Sequence, residues 1–156
     1  MTRHHVERIP FSQADSEFER SRIAECRAIR RIVFIEEQSV PAELEWDGLD
    51  ELAEHFMAFS GSGRDEQILG TARMRVVGNS AKAERVAVLA SSRRLGLGRL
   101  LMQAIEARAR ERSLAKIQLN AQVPVVPFYE KLGYQTQGEV FLEAGIEHLA
   151  MTKRLA

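Results

Sequence analysis

The sequence predicts an α/β (α+β) fold: a mixed, mostly antiparallel central sheet flanked by helices. Three observations predict it. Residues 55–89 alternate short apolar runs with turn clusters, the pattern of an antiparallel meander. Residues 84–121 read as strand, long helix, strand, and a unit of that length implies a parallel pair. Two last strand runs, near Tyr134–Gly138 and Ile146–Lys153, make a terminal hairpin. A purely parallel doubly wound fold does not fit the meander.

The elements follow in order. Residues 4–9 form a first strand, closed by Pro10. Ser16 is placed to cap a helix that runs to about Phe34, with Ile23, Cys26, Ile29, Ile32 and Val33 on one apolar face. Residues 35–54 read as loop plus a short helical piece, broken at Pro41 and Gly48. His55–Phe59 is a strand, Gly61–Asp65 a hairpin turn, and Ile68–Val77 the next strand. After a turn at Gly78-Asn79-Ser80, Glu84–Leu89 is the fourth. The long helix places Leu97, Leu100, Leu101, Ala104, Ile105 and Ala109 at helical spacing and extends to about Arg112. Lys116–Ala121 is the strand that follows it. Pro124 and Pro127 frame a short helix from Val125 to Leu132, ended by Gly133.

At 156 residues the chain reads as one domain spanning 1–156. Acids and bases balance at 22 each, so no global field favours nucleic acid or a membrane surface. The charge is patterned locally. Residues 36–54 carry eight acidic residues and no Lys or Arg, whereas 93–112 are rich in Arg. An acidic stretch facing a basic phosphate site would suit a cationic acceptor and an anionic cofactor; two solvated faces are the plainer reading. Cys26 is the only cysteine, which excludes an internal disulfide, makes a reducing cytoplasm the simplest compartment, and reads as a half-buried helix position. No apolar run approaches the ~20 residues a bilayer requires, and no signal-peptide core opens the chain. His4, His5 and His55 show no metal-ligand spacing, so no metal is expected.

The chemistry gathers at Arg93-Arg94-Leu95-Gly96-Leu97-Gly98, between a strand and a helix. Two glycines there let the backbone approach a ligand, and the unpaired N–H groups of the helix's first turn favour anions. A dinucleotide fingerprint would need glycine at position 101, which is Leu101, and an acid at the next strand end, which reads Asn120-Ala121. A triphosphate loop would need Gly-Lys-Ser/Thr, which does not follow. What remains offers amides and arginines to a pyrophosphate.

Arg93-x-x-Gly96-x-Gly98 after Val86-Ala87-Val88 resembles the acetyl-CoA signature of the GNAT N-acetyltransferase superfamily, Q/R-x-x-G-x-G/A. Asn120 followed by Pro127-Phe128-Tyr129-Glu130-Lys131-Leu132-Gly133-Tyr134 resembles its F-Y-x-K-x-G-F/Y segment. Phe34–Gln38, Glu45–Gly48 and Gly145–His148 further resemble the ElaA-like branch. Two positions depart from the pattern: Ala90 stands where proline is common, and Arg94 where glycine is common. Neither removes the amides, and cofactor binding is expected to survive.

The resemblance implies a GNAT-like acyl-CoA N-acyltransferase fold whose parallel strand pair splays apart. It implies that Val86, Ala87 and Val88 pair with a pantetheine arm, that Arg93, Arg94, Gly96, Leu97, Gly98 and Arg99 surround a pyrophosphate, and that Asn120 and Phe128 line the cofactor between the strands. Tyr129 is then the general acid, a phenol of pKa ~10 facing a leaving thiolate whose thiol lies near ~8.5. The amine, of pKa ~10.4, must lose a proton at a cost of about 4–5 kcal/mol at neutral pH. Glu37, Glu45, Asp47, Glu143 and His148 are candidate bases, Glu45 and His148 foremost and His148 favoured by its titration range; the acidic loop would alternatively select the cationic substrate. Trp46 reads as a core anchor or as a face for a substrate cation.

The function implied is direct, acetyl-CoA-dependent transfer to a primary amine of a small cationic molecule, a polyamine, amino sugar or amino-acid derivative. Cys26 lies outside both motifs, so no acetyl-cysteine step is expected. A protein lysine or N-terminus as acceptor, and a non-catalytic acetyl-CoA-binding module, are the alternatives. The family's common assembly, a homodimer, carries over as an expectation.

Overall fold

A computed structural model describes residues 3–10 and 16–155. The described residues form a seven-stranded sheet: β1 (His4–Pro10), β2 (Glu54–Ser60), β3 (Gln67–Val77), β4 (Ser80–Val88), β5 (Lys116–Gln122), β6 (Gln135–Glu143) and β7 (Ile146–Arg154). Their order across the sheet is β1-β2-β3-β4-β5-β7-β6. Neighbours pair antiparallel except β4 and β5. Helices α1 (Glu17–Arg30), α2 (Ala42–Glu45), α3 (Leu97–Glu111) and α4 (Val126–Lys131) complete it. The meander, the crossover and the terminal hairpin are all as predicted. None of the helices is long and apolar enough to cross a membrane.

Strand periodicity builds two cores. On β2, Phe56 and Ala58 join a cluster with Leu101, Met102 and Ile105 of α3, while Met57 and Phe59 join Cys26, Ile29 and Val33. Successive side chains of a strand point to opposite faces, so α3 covers one face of the sheet and α1 the other. Ser16 caps α1 as predicted, its Oγ accepting from the Glu19 N–H at 3.0 Å.

Three boundaries differ from prediction. The α-helix ends at Arg30, and the coil continues as a π-helix over Arg31–Glu37. That wider turn brings Val33 and Phe34 to one cavity, and a periodicity near 3.6 cannot tell the two forms apart. β4 begins at Ser80 rather than residue 84, because Ser80–Lys82 still pair with Val77–Arg75 beyond the tight turn. β6 runs on to Glu143, with Gly138 at φ +74 accommodating a register shift that a short-strand reading stops at. Cys26 is fully buried, not half-buried, and burial pushes its thiol up to about 11.

The feature that shapes the site is in β4. Arg73 pairs with Glu84 but Thr71 pairs with Ala87, so β4 carries one extra residue there. Arg85 absorbs it at φ +55, in the left-handed region. The bulge reverses the strand's parity. Ala81 and Ala83 face α3 before it; Val86 and Val88 face α3 after it. The parallel pairing of β4 with β5 spans only Ser80–Lys82 against Lys116–Gln118. Beyond that point the two strands diverge.

A cluster of arginines and carboxylates secures the bulge on the α1 face. Arg85 donates to Glu45 Oε2 at 3.1 Å and to Asp47 Oδ2 at 3.2 Å. Arg30 donates to Glu45 at 2.7 Å and to Asp50 at 2.8 Å. Arg73, fully buried, donates to Asp47, Asp50 and Glu84. Buried charges are tolerable only when paired in this way. Burial alone would raise these acids. The guanidiniums more than reverse that: Arg73 holds Asp47 well below the usual carboxylate range, Arg30 and Arg73 lower Asp50, and Arg75 with Arg73 lowers Glu84. The acidic stretch is therefore largely neutralised from within the chain. His55 is shifted the other way in charge: burial lowers its pKa and keeps it neutral.

Two outcomes follow from this arrangement. Arg85→Ala and Arg85→Gly lose the same hydrogen bonds, but only glycine relieves the left-handed strain. The glycine variant is expected to be more stable by about 0.5–1 kcal/mol, read from urea midpoints. Acid should weaken the fold in two stages. Below about pH 6.5 the unfolded chain takes up a proton at His55 that the folded chain resists. Below about pH 4 the depressed carboxylates add a steeper loss, since they stay ionised in the fold after they protonate in the unfolded chain. Denaturant midpoints from pH 3 to 8 check it; a flat profile contradicts it.

Candidate active site

Where β4 and β5 diverge, the sheet opens into a cavity of about 680 Å³. Val86, Ala87 and Val88 line one wall and Asn120 the other. Tyr129 reaches it from α4, Glu45 from α2, His148 from β7 and Arg93 from the loop after β4. With Asp47 and Glu143, ten of the cofactor-binding and catalytic candidates named from the sequence thus meet in one cleft. Arg94, Gly96, Leu97, Gly98, Arg99 and Phe128 do not line it. They adjoin it through one contact chain: Gly98 lies against Phe128, whose ring meets that of Tyr129 at 4.9 Å.

The glycine junction leaves backbone amides without side-chain partners. Gly96 starts α3 at φ +82, and no side chain caps the helix, so its first-turn amides keep their donors. A Cβ on Gly98 would sit 3.2 Å from Phe128 Cζ, so a side chain there would require the ring to give by a few tenths of an ångström. Leu97 is buried in the α3 core, which leaves only its N–H available. Arg94 holds φ +70, a left-handed conformation costing a side-chain-bearing residue about 1–2 kcal/mol, at the position where the resembling motif usually has glycine. Arg93 is turned onto the strand end: its Nε donates to the Val88 carbonyl at 3.0 Å, and its guanidinium pairs with Glu37 at 2.8 Å. Arg99 is exposed.

Tyr129 sits in a six-residue helix with Pro127 in its first turn, where a missing N–H costs nothing. Its ring is held edge-on by Phe128 and by Tyr134, whose centroid lies 5.8 Å away. Burial alone pushes its phenol up to about 12, so it remains protonated across the neutral range. It is a hydrogen-bond donor facing the cleft.

The candidate bases are placed very differently. Glu37, Glu45 and Asp47 each accept from arginines, so their lone pairs are already engaged. Glu45 is only 2% exposed. His148 is buried, stacked on Phe141, and its Nδ1 lies 2.7 Å from the Ile146 carbonyl. A carbonyl only accepts, so Nδ1 carries a proton, and in the neutral ring Nε2 then has the lone pair. Glu143 Oε2 lies 3.7 Å from that nitrogen. Trp46 is not an open cation platform: Arg27 and Arg30 lie 4.5 and 5.1 Å from its ring centroid. The chain's own cations occupy the ring.

Several lining residues escaped the sequence reading. Gln122 donates to Gln38 at 2.7 Å, tying the end of β5 to the turn after the π-helix. Arg75, Lys82 and Glu84 also line the cavity. Their spacing of two in adjacent strands was the available signal, since Arg75 sits opposite Lys82. No local signal marked Gln122.

Comparison with known proteins agrees with this geometry. Residues 32–155 match the family model described as an acetyltransferase (GNAT) domain. The uncharacterized N-acetyltransferase YjcF of Bacillus subtilis is 42% identical over 126 residues, covering 80% of this chain and 87% of that protein. The fold is shared with Escherichia coli ElaA, at a TM-score of 0.81 and 22% identity over 97% of this chain and 99% of that one. It is shared also with an aminoglycoside 6'-N-acetyltransferase solved in complex with coenzyme A, at a TM-score of 0.70 and 14% identity over 97% of each chain. A fold that binds acyl-CoA, a glycine junction with free amides and a cleft between splayed strands converge on one assignment: the chain belongs to the GNAT acetyltransferase family.

Proposed function

We propose that this protein moves an acetyl group directly from acetyl-CoA to a primary amine of a small molecule, with Tyr129 as proton donor and His148 as base. The observation that carries the proposal is that a protonated phenol and an imidazole with a free Nε2 line the same cleft. Acetyl-CoA supplies a thioester: the amine nitrogen bonds to its carbonyl carbon as the carbon–sulfur bond breaks, and the proton the nitrogen sheds on becoming an amide leaves with the sulfur as the free thiol. The edge of Val86–Val88 that is unpaired with β5 suits an extended arm, apart from the Val88 carbonyl, which Arg93 already holds. The first-turn amides of α3 and Arg94 and Arg99 suit its pyrophosphate, and the open space beside Gly96 leaves room for close approach. Arg93 would stay on the Val88 carbonyl and serve the strand end.

His148 Nε2 takes the proton that a neutral-pH ammonium must lose, directly or through one water. Tyr129 donates a hydrogen bond to the sulfur as negative charge develops on it; the desolvation that raises the phenol disfavours a bare thiolate equally. Glu45, engaged by Arg30 and Arg85, is better suited to holding the bulge than to moving a proton. The acceptor need not carry a second positive charge, because arginines already neutralise Glu45, Asp47 and Asp50. Arg75, Lys82 and Glu84 on the cavity wall leave charge of both signs for it to meet. A compartment that keeps Cys26 reduced, the cytoplasm, fits the reading.

A thiol-release assay with acetyl-CoA and a panel of primary amines tests it. Tyr129→Phe is expected to lower kcat about 100-fold or more while the KM for acetyl-CoA stays within about threefold. Unchanged turnover would remove the proposed role.

A further inference from the structure

One buried charge lies outside the chemistry above. Glu106 sits on the core-facing side of α3, 6% exposed, between Ile105 and Ala109 of the apolar cluster. A carboxylate in such a place is strongly disfavoured unless its oxygens are paired. Both are. The Tyr134 hydroxyl donates to Oε2 at 3.0 Å and the Lys153 ammonium donates to Oε1 at 2.8 Å. Burial, and Glu106 beside it, push the Tyr134 phenol well up, so it remains a donor.

These two partners converge on the end of α4. Lys153 also donates to the Leu132 carbonyl at 2.7 Å, where a helix end leaves acceptors unpaired and favours a cation. Its stem packs where Gly133 has no side chain, with Cε 3.4 Å from the position a Cβ would take. The Tyr129 carbonyl accepts from the N–H groups of Leu132, at 3.0 Å, and Tyr134, at 3.1 Å. The Tyr134 ring meets the Tyr129 ring edge-on, 75° from parallel. Six residues are too few for a helix to hold its own geometry. The Tyr129 ring is therefore aimed by what grips α4 from outside.

We propose that Glu106 is a positioning residue for Tyr129: from α3 it anchors Tyr134 and Lys153, which clamp the last turn of α4 and set where the Tyr129 hydroxyl points in the cleft. This rests on the role proposed for Tyr129 above. A displacement of ~1 Å at a reacting group can cost about 100-fold in rate, so a clamp of this kind is felt in turnover.

The test is a double-mutant cycle on kcat. Glu106→Gln keeps the shape and an acceptor for Tyr134 but loses the attraction for Lys153. In the otherwise native enzyme it is expected to lower kcat about tenfold, with the acetyl-CoA KM within about twofold. In a Tyr129→Phe background the same change is expected to move kcat by less than about twofold. Equal losses in both backgrounds, or no loss in the native one, overturn the positioning role. If Glu106→Gln does not fold, Tyr134→Phe carries the same expectation, because it keeps the ring and deletes only the hydroxyl bond to Glu106. A Tyr129→Phe enzyme as fast as the native one overturns both readings at once, which separates that failure from a failure of the clamp alone.

Discussion

The left-handed residue at Arg85 is the constraint on which the rest of the site depends. The pairing of β4 with β5 ends after three residues, at Lys82, and the residue inserted at Arg85 then reverses the strand's parity, leaving Val86–Val88 unpaired with β5. Without that divergence the sheet would be closed at Val86–Val88, and neither Tyr129 nor His148 would face a cleft. The conformation is costly for an arginine, and the same side chain helps to hold it, reaching Glu45, Asp47 and the Leu44 carbonyl. Backbone strain at a functional position thus coexists with a network that over-determines it. The arginines of β3 and α1 extend the network into the core, so the loop carrying α2 and the bulge are fixed together.

Much of the fold was legible because it rests on local patterns. The turns at Gly78-Asn79 and Gly133, the Ser16 cap and the 3.6-residue repeat of α3 are all written within a few residues of where they act. The π-helix was not legible, since Ile32, Val33 and Phe34 satisfy either helical period. The extra residue in β4 was not legible either: Arg85 looks like an ordinary strand residue, and only its cross-strand partners show that one position is unpaired.

The site divides in the same way. The glycine junction and the Phe128-Tyr129 segment are contiguous motifs, and the cleft brings Tyr129 together with Val86–Val88 and Asn120. What faces the acidic stretch was not legible, because charge along the chain says nothing of what lies opposite it in space. Arg30, Arg73 and Arg85 come from three distant segments and pair with its Glu45, Asp47 and Asp50. Glu106 was hidden for a related reason: one acid on an amphipathic helix reads as a solvated face until Tyr134 and Lys153 are brought against it.

The central claim is that the gap between β4 and β5 seats the thioester beneath Tyr129. A crystal structure with coenzyme A bound tests it most directly. The account predicts the pyrophosphate at the amides that open α3, the pantetheine arm along Val86–Val88, and the sulfur about 3–3.5 Å from the Tyr129 hydroxyl. Coenzyme A seated elsewhere, or in the cleft with its sulfur directed away from Tyr129, would contradict it.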